Sequence, residues 1–227
     1  MRGSAGAIAA ALLVVTTAAP GRSAPSFACD KARTRAEKAI CANAELSALD
    51  EYLARYYGAA RDVVGRAADC LAADQRGWLR TVRDACADAN CLEKAYLARL
   101  AELDALQPGA TALKRVALPA GPSLVWIVPA AQDEGAAPRR ANPRSLEARG
   151  FVVDDLATGD GFVLRTAEGA SYLLLLAMFV EPDSAARLTT LARERGTMFL
   201  ARGHAGTSSD GTTHFEPSRC VFIYRLP

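Results

Sequence analysis

CDKARTRAEKAIC at residues 29–41 and DQRGWLRTVRDACADANCLEKAYLARLAEL at residues 74–103 decide how the first half of this chain folds. Two cysteine pairs, Cys29/Cys41 and Cys86/Cys91, bracket the stretch, with LSALDEYLARYY (46–57) between them. Thr34-Arg35-Ala36-Glu37 is a capping box and predicts a short helix ending near Cys41. Asn43 caps the next, with Glu45 in its first turn, where the helix dipole favours an acid. Leu46, Leu49, Leu53, Tyr56, Ala60 and Val63 recur at three- and four-residue spacing, which predicts an amphipathic helix that weakens at Gly65. A third helix is predicted over roughly 71–86, with Leu71, Gln75, Trp78, Leu79 and Val82 along one side. Asp88-Ala89-Asn90 reads as a turn. A fourth helix over 91–106 turns Leu92, Tyr96, Leu100 and Leu103 inward, and Pro108-Gly109 ends it.

A bundle this short has a thin core and needs staples. Cys29–Cys41 would tie the incoming segment to the first helix, and Cys86–Cys91 would lock the last interhelical turn. Each short loop contributes roughly 2–3 kcal/mol in the chain-entropy account. Cys70 and Cys220 lie outside both pairs. They form a third bridge between the two halves, stay free, or pair otherwise; six cysteines allow 15 pairings.

The wider composition sets the compartment and excludes some partners. Residues 1–24 hold Arg2, an apolar run over 7–15, then small residues and Pro20, the pattern of a secretory signal peptide. The run is too short to anchor in a bilayer. Cleavage fits after Ala24 or Ala28, and Ser26-Phe27-Ala28-Cys29 lacks the aliphatic residue of a lipidation site. Export places six cysteines, an even number, in an oxidising compartment, where disulfides are expected rather than metal ligation. Without the first 24 residues the chain carries 25 basic and 25 acidic residues. A neutral protein lacks the basic surface that nucleic acid requires. No later segment is long and apolar enough for a stable membrane span.

The texture changes after residue 108. Residues 109–145 read as one strand, Ser123–Val128 (SLVWIV), followed by an Ala/Pro-rich linker. Residues 146–227 read as β-rich. Strands are predicted over 146–153, 161–166 and 171–178, then a helix from Pro182 through Arg193 with Ala185, Leu188 and Leu191 on one side. Gly196 ends that helix. Two more strands follow over 197–203 and 215–226, separated by a polar loop over 205–213. Three strands, a helix and two strands is the element order of an OB barrel. The fold class is therefore α+β: a disulfide-stapled helical hairpin or bundle (25–108), then a small OB-like domain.

Candidate chemistry is thin. His204 and His214 flank the polar loop, with Asp210 and Glu216 near in sequence, but their spacing matches no zinc pattern. Thr207-Ser208-Ser209-Asp210 has the ingredients of a nucleophile and base without a strand–turn–helix setting. These residues are the best candidates for the third-ranked reading, a hydrolase. No catalytic, cofactor or metal site is assigned, and the protein is read as non-enzymatic. Trp78 amid Gln75, Arg76, Arg80 and Arg83 offers an exposed binding anchor. Its register with Leu71 and Val82 favours a core position instead. Arg83-Asp84 reads as a brace at the helix end.

Residues 26–106 resemble the N-terminal domain of the lysozyme inhibitor LprI family. The residues that carry the resemblance are Cys29, Glu37, Ile40, Cys41, Leu46, Leu49, Asp50, Tyr56, Gln75, Trp78, Leu79, Arg83, Asp84, Cys86, Cys91 and Tyr96, in order and spacing; Cys70 is an addition. The resemblance implies an exported helical domain of a bacterial envelope protein, with lysozyme as partner and no cofactor. Residues 25–106 carry 12 bases and 13 acids, so an inhibitory surface must use local shape or a few charges rather than net charge. The expectation is a periplasmic or secreted binding protein. The second reading is an envelope structural or stress protein whose β domain binds a glycan or protein.

Overall fold

The computed structural model describes residues 24–106, 116–129, 146–155, 161–175, 182–207, 209 and 211–227. The predicted signal segment lies almost wholly outside them, as does the linker over 130–143. The fold is α+β, a four-helix N-terminal half and a six-stranded sheet, with three disulfides.

The first helix, α1 (Arg35–Ala42), begins at the predicted capping box: Thr34 Oγ1 accepts from the Glu37 amide, and the Glu37 carboxylate accepts from the Thr34 amide. Asn43 Oδ1 then accepts from the amides of Glu45 and Leu46 and starts α2 (Ala44–Val64). Gly65, at φ +51°, ends α2. Leu46, Leu49, Leu53, Tyr56 and Ala60 are buried, but Val63 is exposed at the last turn, beyond the helices that cover the rest of that face. α3 (Ala68–Trp78) passes into a π-helical turn, Leu79–Arg83, in which the Asp84 amide donates to the Leu79 carbonyl five residues back. The wider turn adds one residue to the register. Val82, expected inside, is therefore exposed, and Arg83 takes the inward position. Asp88 is the N-cap of α4 (Ala89–Asp104), accepting from the Cys91 amide, so 89–90 form the helix's first turn rather than a separate loop. Leu92, Tyr96, Leu100 and Leu103 are buried as expected.

The strands are β1 (Ser123–Pro129), β2 (Leu146–Asp155), β3 (Gly161–Thr166), β4 (Ser171–Leu175), β5 (Thr197–Thr207) and β6 (Thr213–Arg225), with α5 (Pro182–Ala192) between β4 and β5. β2, β3 and β4 form an antiparallel meander. β4 joins β6 in parallel, β6 joins β5, and β5 returns to β2. The sheet therefore closes on itself, with the order and the single parallel pairing of an OB barrel. β5 extends to Thr207 and β6 starts at Thr213, so the polar loop shrinks to 208–212. Backbone pairing along this hairpin outweighs the weak strand preference of its Gly, Ser and Thr residues. Residues 176–178, predicted to end the third strand, lie outside the described residues.

The two halves share a wall. β6 has β5 along one flank; its other flank is divided between β4, near His214 and Phe215, and β1, over Cys220–Arg225. Alternate residues of these strands point to opposite faces. Val221, Ile223, Phe199 and Ala201 fill the barrel with Phe162, Leu164, Leu174 and Leu188. Phe222, Tyr224, Met198, Leu200, Leu124 and Ile127 join the helical core around Ile40, Leu71, Tyr96 and Leu100. Cys70 of α3 is bonded to Cys220 of β6 on the same wall.

Candidate functional site

The residues predicted from the helical half form two buried polar clusters and one exposed corner. In the first cluster, Tyr96 of α4 donates its hydroxyl to Asp50 Oδ1 of α2 at 2.7 Å. Asp50 Oδ2 accepts from the amide and hydroxyl of Ser26 at 2.7 and 2.6 Å, which pins the incoming chain. Trp78 lies edge-on to Tyr96, with ring centroids 5.4 Å apart, partly buried against the core. Arg83, buried, donates from Nε to Asp84 Oδ1 at 2.8 Å and lies 3.6 Å from Glu37 Oε1. Burial, then the Asp50 carboxylate, pushes the Tyr96 phenol well above its usual range. Glu37 is held below the usual carboxylate range, chiefly by the Thr34 and Arg33 amides, with Arg83 adding to the effect.

The second cluster lies on the shared wall. Arg99 of α4 is 2% exposed. Its guanidinium donates to Gln75 Oε1 at 3.0 Å, Asp74 Oδ2 at 2.7 Å and Glu102 Oε2 at 2.8 Å. Tyr224 of β6 is buried beside the same carboxylates, and burial followed by Glu102 and Asp74 raises its phenol pKa. Gln75 is thus a spacer within an ion cluster. Asp74, Arg99, Glu102 and Tyr224 were not singled out from the sequence, and only Arg99's place between Tyr96 and Leu103 on the inward face of α4 signals them.

The exposed corner follows from the first cluster. Arg76 and Arg80 are exposed one turn apart and form no ion pair among the described residues, whereas Val82, two residues beyond Arg80 and 41% exposed, lies on another side of the helix. The π-helical turn carries Val82 outward, Arg83 holds it from beneath, and the Cys86–Cys91 disulfide locks the next turn. The face at Arg76 and Arg80 is therefore basic.

The barrel contributes a second surface. Phe151 of β2 is 42% exposed, the one large apolar side chain so placed on the barrel among the described residues. It lines a cleft of about 330 Å³ with Glu147, Arg149, Gly150, Thr166, Glu168 and Met198. A larger cleft, about 450 Å³, lies between the end of α4 and the chain termini of β1 and β6, with Asp104, Leu118, Ser123 and Arg225 on its walls.

The structure brings three of the candidate hydrolase residues to neighbouring positions of one hairpin. His204 sits opposite Glu216, and His214 opposite Gly206, in the β5–β6 ladder. Ser208 and Asp210 lie outside the described residues, as do the side chains of both histidines. No protein-family model, curated protein or solved structure matches the chain.

Proposed function

We propose that the protein is an exported, non-catalytic binding protein of the bacterial cell envelope that inhibits lysozyme. The resemblance of residues 26–106 supplies the target, and three disulfides are consistent with an oxidising compartment. The observation that carries the reading is the exposed pair Arg76 and Arg80, without an acidic partner among the described residues. Lysozyme works with two carboxyl groups about 5 Å apart in a cleft. Arg76 and Arg80 stand one helical turn apart, with roughly 5–6 Å between such Cβ atoms. Like charges at this spacing destabilise the helix by a few tenths of a kcal/mol, about 0.2–0.5. Opposed to an acidic cleft, the same pair becomes complementary. A neutral module can therefore engage a basic enzyme through local charge.

The buried ionisable groups support the same reading, because Asp50, Arg83 and Arg99 are each occupied by named structural partners. Titrating the full chain into several lysozymes tests it. Loss of lytic activity at micromolar inhibitor is expected, and absence of binding at that concentration contradicts it.

A further inference from the structure

We propose that the cleft beside Phe151 is a binding site for a neutral saccharide, independent of the lysozyme reading. Phe151 sits in a cross-strand row, Met198–Phe151–Arg165–Ser171, that runs over the outside of β5, β2, β3 and β4. Met198 turns into the helical core and is covered there, whereas Phe151 is left open. The ring is thus an isolated aromatic platform on an otherwise polar face. Beside it, Glu147 and Glu168 offer carboxylate acceptors and Arg149 offers donors. The Thr166 side chain, also in the lining, interacts with the Glu168 carboxylate and helps to hold it in place.

The chemistry of the lining selects the ligand. Sugar rings present an apolar C–H face, which stacks on an aromatic, and an edge of hydroxyls, which needs donors and acceptors together. Two carboxylates and one guanidinium provide both, and Arg202, which donates to Glu147 at 2.9 Å, balances the charge, so the site favours a neutral ligand. The volume, about 330 Å³, falls at the small end of ligand sites, roughly 300–1000 Å³. It suits one sugar unit of a longer chain. Gly150 lets the floor close: a Cβ there would lie 2.1 Å from the Arg165 carbonyl oxygen, so β2 and β3 approach at a distance no other residue allows. The site lies at the β3–β4 turn.

The test uses the full chain, because the barrel and the helices share a wall. Soluble oligomers of N-acetylglucosamine and of glucose are titrated, with saturation-transfer NMR as the readout. Saturable binding of at least one oligomer at or below about 10 mM is expected for a site with a single aromatic platform. Phe151→Ala should weaken it about tenfold, the loss of one aromatic contact. Val82→Asp, on the helical half, should leave it unchanged. Far-UV circular dichroism on each variant establishes that it is folded. No saturation by any oligomer, or binding by folded Phe151→Ala equal to wild type, overturns the assignment. Loss of lysozyme binding with sugar binding intact would sink only the inhibitor reading.

Discussion

Tyr96 donates its hydroxyl to Asp50 across 46 residues of sequence, and Asp50 in turn holds Ser26 at the start of the described chain. One carboxylate therefore links α4, α2 and the incoming segment. Tyr96→Phe keeps the ring against Trp78 but leaves a buried carboxylate oxygen without its partner. A loss of about 1–3 kcal/mol is expected in chemical denaturation.

The same pair sets an alkaline limit. The Tyr96 phenol is raised by burial and by the Asp50 carboxylate, and Tyr224 is raised by burial and by Glu102 and Asp74. Both are neutral in the fold and ionise more readily when unfolded. Their contribution is complete below the ordinary tyrosine value, about 10, and is lost as pH rises from there towards the folded values. Denaturation midpoints should fall above about pH 10, and less steeply in Tyr96→Phe.

At the acid end the sign reverses. Glu37 is lowered chiefly by the Thr34 and Arg33 amides, so its contribution is present above the ordinary glutamate value, about 4.3, and is lost as pH falls through the folded value. Glu37→Gln should flatten the acid limb of a stability-versus-pH curve while leaving far-UV circular dichroism at neutral pH intact.

Cys70–Cys220 spans 150 residues and crosses the shared wall. Replacing both by Ala should lower stability by about 2–5 kcal/mol. Phe222 and Tyr224 still pack on the helices, so secondary structure should persist. A non-reducing peptide map of the wild type should return all three bridges.

Arg99 is the centre of the wall cluster. Arg99→Ala strands Asp74 and Glu102 and should cost about 3–5 kcal/mol, read as a shift in the denaturation midpoint. Arg99→Met with Asp74→Asn and Glu102→Gln removes the charges together and should recover much of that loss, because no buried charge is then left unpaired.

Local signals carried much of this architecture. The capping box at Thr34, the Asn43 cap and the leucine spacing of α2 and α4 depend on neighbours within a few residues, so they were legible in the chain. The β–β–β–α–β–β order also indicated the barrel. The π-helical turn was not legible, because the buried Arg83 it turns inward meets Glu37, 46 residues away in the chain, only in the folded state, and Val82 then loses the place its spacing implied. Nor was the shared wall, since strand alternation shows that Phe222 and Ile223 face opposite ways without showing what each meets. The cleft beside Phe151 depends on the pairing of β2 with β3 and β5, which composition does not encode.

Calorimetric titration of the full chain into lysozyme tests the central claim most directly. It is run on the wild type, on Arg76→Glu/Arg80→Glu, and on Lys94→Glu as an exposed control. Saturable micromolar binding by the wild type and Lys94→Glu is predicted, weakened about tenfold or more in the double variant and sensitive to salt. Wild-type protein that shows no heat of binding and no inhibition, or a double variant that binds as the wild type does, would contradict the account of this corner as an inhibitory surface.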